Sequence, residues 1–338
     1  MTTLKTAYDV IIIGAGHNGL VAASYLGRAG LSVLMVERNS NIGGATQSAR
    51  PFKGVDARLS VYSYLVSLFP QQIVDDLELD LQLKSRRVGS YTPSFVGGEL
   101  HELLVSNQSE EATRDSFLSL PGGGEDYQGC LKLQEMQLCL AKALWPGLLK
   151  PLQSKADMMS RLSEDERRAW DAYIETPLGE VIEEHVSNDL VRGMLFTDAK
   201  IGVSTHPHDP SLLQNITYLY HIIGRETGEW RVPVGGMGSL TASLERTART
   251  NGADIVASAR VESVGVDENR AEIAFEVEGR QHTVEGRFLL NNAAPAVLDA
   301  LLGKAPRAPR AVDEGSVIKI NMLLKKLPAL RSERHSSE

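Results

Sequence analysis

The stretch DVIIIGAGHNGLVAASYLGRAGLSVLMVERNSNIGG, Asp9 to Gly44, leaves few folds open to this chain. DVIII is a short, continuous, β-branched run with a turn signal behind it, as expected of a strand buried on both faces of a parallel sheet. Gly14, Gly16 and Gly19 follow as GxGxxG. From Asn18 to Ala29, Leu20, Val21, Ala23, Tyr25 and Leu26 recur at helical spacing, and Gly30 stops the helix. LSVLMVE returns to strand. In that context Gly14 permits the tight turn, Gly16 lets the main chain approach a diphosphate, and Gly19 lets helix and strand come close. Free amides at the helix start meet the phosphate charge. Glu37 ends the second strand, 23 residues after Gly14, where a carboxylate accepts hydrogen bonds from both ribose hydroxyls of an adenosine and repels a 2′-phosphate. The unit predicts a site for an ADP-containing dinucleotide.

Composition narrows what surrounds that unit. At 338 residues the chain is long enough for two structural units or one large discontinuous one. Thirty-five basic against 43 acidic residues give a net charge of -8, which supplies no broad basic face for a phosphate backbone, so nucleic acid is excluded as a partner. Val10 to Gly27 carries no charged side chain, but its four glycines, His17, Asn18 and Ser24 argue against a membrane span. The eight residues before the first strand, MTTLKTAY, are too few for a secretory or transit signal, and the two cysteines, Cys130 and Cys139, form no CxxC pair and no metal quartet. Cytoplasmic localisation is the expectation.

Further along, residues 45–110 mix short apolar pieces with Gly, Pro and Ser, and LELDLQLK, 77–84, alternates as a strand placed outside the nucleotide core. From Tyr127 to Glu184 the pattern is helical, broken at Pro146, Gly147 and Pro151, with Ser163 an N-cap ahead of EDERR. His206 and His208 read as loop residues without the further ligands a metal needs. Tyr218, Tyr220 and His221, on a helix or strand lining the cap, read as packing residues, with a pocket border as the alternative. Gly235, Gly236 and Gly238 lead into a helix with Leu240, Leu244 and Ala248 on one face, and ADIVASARVESVGV supplies two strands. ENRAEIAFEVEGRQHTVEGR reads as a hairpin, FLLNNAA as a buried strand, and Pro295 as the start of a short helix.

Arg38 and the twin glycine Gly43 and Gly44, followed by Ala45, complete a pattern that resembles the FAD-dependent oxidoreductases that include amine oxidases and carotenoid (phytoene) desaturases. The order of GAGHNGLVAASYLGRAG, ERNSNIGGA, TDAKIG, HPHDP, GGMGSL and IKINMLLKKLP is similar to the subgroup named pyridine nucleotide-disulphide oxidoreductase domain-containing protein 2 and its bacterial relatives. The resemblance implies an α/β fold: a Rossmann-like FAD-binding domain, 1–60 and 225–312, with an inserted α+β substrate or cap domain, 61–224, and the start of a further cap segment at 313–338. It implies FAD as cofactor, held by Gly14, Gly16, Gly19, Glu37, Arg38, Gly43, Gly44 and Ala45 on the ADP half, by Gly236 and Met237 near the flavin, and by the main chain of Val261 at the adenine.

The implied activity is desaturase- or oxidase-like hydride transfer from a small, apolar or amphipathic substrate to flavin, with no catalytic side chain singled out. Relatives in this resemblance continue past INMLLKKLP to a last flavin-binding element, whereas here the polar run ALRSERHSSE follows. A C-terminally truncated chain, with a homo-oligomer contact or a partner over the shortened face, is the corresponding expectation, and an inactive nucleotide-binding or protein-interaction module is its alternative. An NAD-dependent dehydrogenase fits the first unit but leaves the twin glycine and GGMGSL unexplained.

Overall fold

The β-branched run and its glycine turn set the architecture. The computed structural model describes residues 4–96, 98–305 and 317–326, so ALRSERHSSE and most of the segment expected at 313–338 lie outside the described residues. Two units emerge: Met1–Val66, Pro70–Lys84 and Val232–Arg310 form the first, and Ser67–Phe69, Ser85–Arg231 and Ala311–Glu338 the second.

In the first unit, strand β1 (Ala7–Ile13) runs into helix α1 (His17–Arg28) and strand β2 (Val33–Val36). The chain returns as α2 (Gly238–Thr250), β3 (Asp254–Val256), β4 (Arg260–Val266), β5 (Ala271–Val277), β6 (Arg280–Asn291) and α3 (Pro295–Leu301). The sheet order is β4-β5-β6-β1-β2-β3. β6, β1, β2 and β3 are mutually parallel, and β4, β5 and β6 form an antiparallel meander. In register, Ile13 faces Val36 on one side and Asn291 on the other, so three parallel strands stop at the same level. Ile11, Ile13, Leu34, Ile273 and Phe275 are buried together. On α1, Leu20, Ala23 and Ser24 are buried; on α2, Leu240, Leu244 and Ala248 are. The two helices meet where Asn251 Nδ2 donates to the Ser24 carbonyl at 3.1 Å. A Cβ on Gly27 would stand 2.5 Å from the Asn251 carbonyl oxygen, so only glycine permits that approach.

Two expectations need correction here. The segment 77–84 is not a strand: a helix at Gln71–Asp76 ends in a turn with Glu78 at positive φ and Leu79 N–H donating to the Val74 carbonyl, and only Leu83–Ser85 is extended. Leu77 and Leu79 alternate because that turn buries both, and Ser243 Oγ accepts from Asp80 N–H at 2.9 Å, in the first unit. FLLNNAA is strand only as far as Asn291, and Phe288 and Leu290 are 57% and 40% exposed. Alternate side chains leave a strand on opposite faces, and the described residues do not cover the face these two occupy.

The second unit joins a hairpin, Val88–Val96 with Glu99–Ser106, to helices. The longest, Gly123–Leu144, lies by Leu178–His185, and the core gathers Phe117, Tyr127, Leu133, Trp170, Tyr173 and Ile182. Ser163 does cap its helix: its hydroxyl accepts from Glu166 N–H while Glu166 accepts from Ser163 N–H, a capping box. Tyr218 lies on a helix, Leu213–Ile222, and stacks on Tyr173. His208 is an exposed partner of Glu183 at 3.2 Å, and among the described residues no cluster of His, Cys, Asp and Glu could hold a metal ion. No described helix is long and apolar enough to cross a membrane.

Candidate dinucleotide site

The three strands that stop together open on a cavity of about 1020 Å³ in the first unit. β1 delivers Gly14 and Gly16, β2 delivers Glu37 and Arg38, and the turn after β6 delivers Asn292 and Ala293. Ligands of open parallel sheets bind at these carboxyl ends.

The turn after β1 is held from both neighbouring strands. Gly14, at φ 94°, donates its N–H to the Val36 carbonyl at 2.8 Å, and a Cβ on it would stand 3.2 Å from the Asn292 carbonyl oxygen. Asn292 Nδ2 donates to the Gly14 carbonyl at 3.0 Å. Beyond Gly16 the first-turn amides of α1 have no intrahelical acceptor and carry the positive end of the helix dipole.

Glu37 is only 7% exposed, and both its oxygens are tied down: Oε2 accepts from Ala15 N–H at 2.8 Å and Oε1 from Asn39 N–H at 2.9 Å. Each carboxylate oxygen keeps acceptor capacity for a ligand hydroxyl. The twin glycine docks on the glycine turn itself. Gly43 N–H donates to the Ala15 carbonyl at 2.9 Å, and a Cβ on Gly44 would lie 3.2 Å from Gly16 Cα, so two glycine segments run side by side where a bulky residue would part them.

The cavity is also lined by Ala259, whose N–H donates to the Glu37 carbonyl at 2.8 Å, by Arg260, Val261 and Glu262 after it, and by Ala296, Val297, Ala300 and Leu301 of α3. The apolar side chains among these suit the flat face of a purine ring. Burial holds the His17 imidazole below its ordinary value, and Thr46 Oγ1 lies 3.1 Å from His17 Nδ1.

Of the residues read from sequence, Gly14, Gly16, Glu37, Arg38, Gly44, Ala45 and Val261 line this cavity. Gly19 and Gly43 do not line it; a Cβ on them would stand 2.7 Å from Asn292 Nδ2 and 3.0 Å from Thr241 Oγ1. Gly236 and Met237 are elsewhere: Met237 N–H donates to Ser60 Oγ at 3.1 Å and Gly238 N–H to Ser48 Oγ at 2.9 Å, pinning the 45–60 segment to the start of α2. Asn292, His17 and the α3 wall were not singled out. Their only sequence signal was NNAAP and the position of His17 inside GxGxxG.

Comparison with known proteins agrees with this geometry. Residues 12–73 match the family model of an NAD(P)-binding Rossmann-like domain. An uncharacterized protein of Mycobacterium tuberculosis is 41% identical over 330 residues, covering 96% of this chain and 61% of that protein. Pyridine nucleotide-disulfide oxidoreductase domain-containing protein 2 of Mus musculus is 30% identical over 369 residues, with the same shares. The chain thus spans about 61% of the length of the curated relatives it matches. Among solved structures, putrescine oxidase bound to putrescine is 22% identical, covers 90% of this chain and 62% of its own, and has a TM-score of 0.55, a likeness of fold. The chain is homologous to the first two over nearly all its length, on a Rossmann-like parallel-sheet core.

Proposed function

We propose that this chain is an FAD-dependent oxidoreductase whose first unit holds the ADP half of the cofactor. The observation that carries this reading is the buried Glu37 carboxylate, fixed by two backbone amides and lining one cavity with Gly14, Gly16 and Gly44. A Cβ at Gly44 would press on Gly16 Cα, and one at Gly16 would stand 3.2 Å from Asn292 Nδ2, so both positions keep main chain bare at the cavity, which fits a cradle for a diphosphate. Glu37 would accept the ribose hydroxyls, the Gly14–Gly16 turn and the first turn of α1 would meet the diphosphate, and Val261 with the α3 wall would cover the adenine.

Bound FAD would supply a two-electron acceptor for hydride leaving a C–H bond, whether next to carbon or next to nitrogen. The chain's own residues contribute binding, orientation and exclusion of water from the diphosphate. No side chain is assigned as acid or base. A small apolar or amphipathic substrate is the companion proposal, resting on the resemblance to desaturases, and cytoplasmic localisation accompanies it.

The test is the purified protein. A flavin spectrum, lost in Gly16→Val and weakened in Glu37→Ala, is expected, and flavin-free protein should take up added FAD. Colourless protein that rejects FAD but binds NAD would overturn the reading, and flavin that binds but resists every reductant would point to a nucleotide-binding module.

A further inference from the structure

Among the described residues His17 is the one imidazole on the wall of the cavity, and the dinucleotide site as described gives it no role. It is the first residue of α1, directly after Gly16. Its ring is fixed by a buried chain of hydrogen bonds: Thr241 Oγ1 donates to the Thr46 carbonyl at 3.0 Å, Thr46 N–H donates to the Gly43 carbonyl at 2.9 Å, and Thr46 Oγ1 lies 3.1 Å from His17 Nδ1. Thr46 is 3% exposed and does not line the cavity, whereas His17 does. With Nδ1 turned to Thr46, Nε2 is the ring nitrogen left for a ligand in a cavity that His17 lines together with Gly16, Gly44 and Ala45.

From this geometry we infer that His17 is a diphosphate-positioning residue: as a neutral imidazole it donates Nε2–H to the cofactor's diphosphate, its tautomer set by Thr46 O–H donating to Nδ1. The inference rests on the dinucleotide reading of the cavity. A phosphate oxygen only accepts, so it requires the proton on Nε2, and that leaves Nδ1 as the acceptor that a hydroxyl satisfies. Burial and the positive end of α1 both oppose an imidazolium there. The ring therefore supplies direction instead of charge, and an alkyl or acidic side chain could not replace it.

The experiment compares ADP with adenosine by calorimetry, on flavin-free protein. For His17→Ala the dissociation constant for ADP should rise about tenfold, the size of one hydrogen bond to a charged acceptor, while that for adenosine stays put. His17→Asn, which keeps a donor, should recover part of the loss, and Thr46→Val should lose part of it. In ¹⁵N-histidine spectra of wild type with ADP, His17 should be the Nε2–H tautomer. An unchanged ADP affinity in His17→Ala, an equal loss for adenosine, an Nδ1–H tautomer, or no ADP binding by wild type each overturns the inference. ADP binding that depends on His17 in a protein that refuses FAD would sink the flavin reading and leave this one standing.

Discussion

Asn292 donates its side-chain amide to the carbonyl of Gly14 at 3.0 Å across 278 residues of sequence, fastening the last strand of the sheet to the turn after the first. The same Nδ2 lies 2.7 Å from where a Cβ on Gly19 would stand, and the Gly14 carbonyl oxygen lies 2.8 Å from it. Gly19 is thus the space that lets Asn292 reach Gly14.

Gly19→Ala should therefore cost about 1–3 kcal/mol through forced displacement of Asn292 and of the turn. Asn292→Ala loses the hydrogen bond but removes one of the two obstacles. The double variant should lose less than the sum of the two single losses, because the sites share an atom. Denaturant midpoints of the four proteins check this, and strict additivity would show that Asn292 is not what Gly19 accommodates.

Glu37 sets a second expectation. A buried carboxylate fixed by Ala15 and Asn39 amides cannot turn away from a ligand that brings a 2′-phosphate. Wild type should bind 5′-ADP at least about tenfold more tightly than its 2′-phosphorylated form, since like charges meet without water between them. Glu37→Gln should shrink that ratio. Equal affinities in wild type would mean that the ribose lies elsewhere.

What was legible in the sequence was local. Strand, glycine turn, helix and terminal acid occupy Asp9 to Glu37, and short-range spacing is enough to place Gly14, Gly16 and Glu37 around one cavity. Asn292 was out of reach, because its place depends on β6 pairing in parallel with β1, a register that no local pattern states. Leu77 and Leu79 misled for the opposite reason: alternation looks the same whether a sheet or a helix-ending turn buries the residues, and here it was the turn. Gly236 and Met237, read as neighbours of the flavin and not of the ADP half, sit in a turn pinned to the 45–60 segment, with Met237 N–H donating to Ser60 Oγ and Gly238 N–H to Ser48 Oγ.

Cysteine chemistry should be silent in this chain. Cys130 and Cys139 stand nine positions apart on one helix, a rise of about 13–14 Å, and a disulfide needs Cα atoms within about 7 Å. Burial, helped by Asp126, pushes the Cys130 thiol up to about 12, and burial raises Cys139 as well. Alkylation by iodoacetamide at about pH 8 should be slow at both, since the thiolate is the nucleophile, and reduction of an aromatic disulfide probe should be undetectable. Fast labelling of Cys130 followed by mass spectrometry would contradict the burial that the helix imposes.

Asp198 gives stability a pH dependence with a definite sign. It lies in the short turn Thr197–Lys200, in a cluster with His221, whose Nδ1 donates to the Thr217 carbonyl at 2.8 Å, and with Arg86, whose guanidinium lies 5.3 Å from the centre of the Trp230 ring. Burial raises the Asp198 carboxyl above its ordinary 3.8, and attraction from His221 and Arg86 only partly offsets this. The folded chain then holds this proton more firmly than the unfolded one, so the group's contribution is complete below the ordinary carboxyl value and is lost as pH rises through the folded value. Asp198→Asn keeps the shape and removes the charge. It should match or exceed wild type in denaturant midpoint at neutral pH, with the gap closing as pH falls toward about 4. If Asp198→Asn instead loses stability at neutral pH and regains it in acid, attraction to His221 and Arg86 outweighs the cost of burial, and the sign reverses.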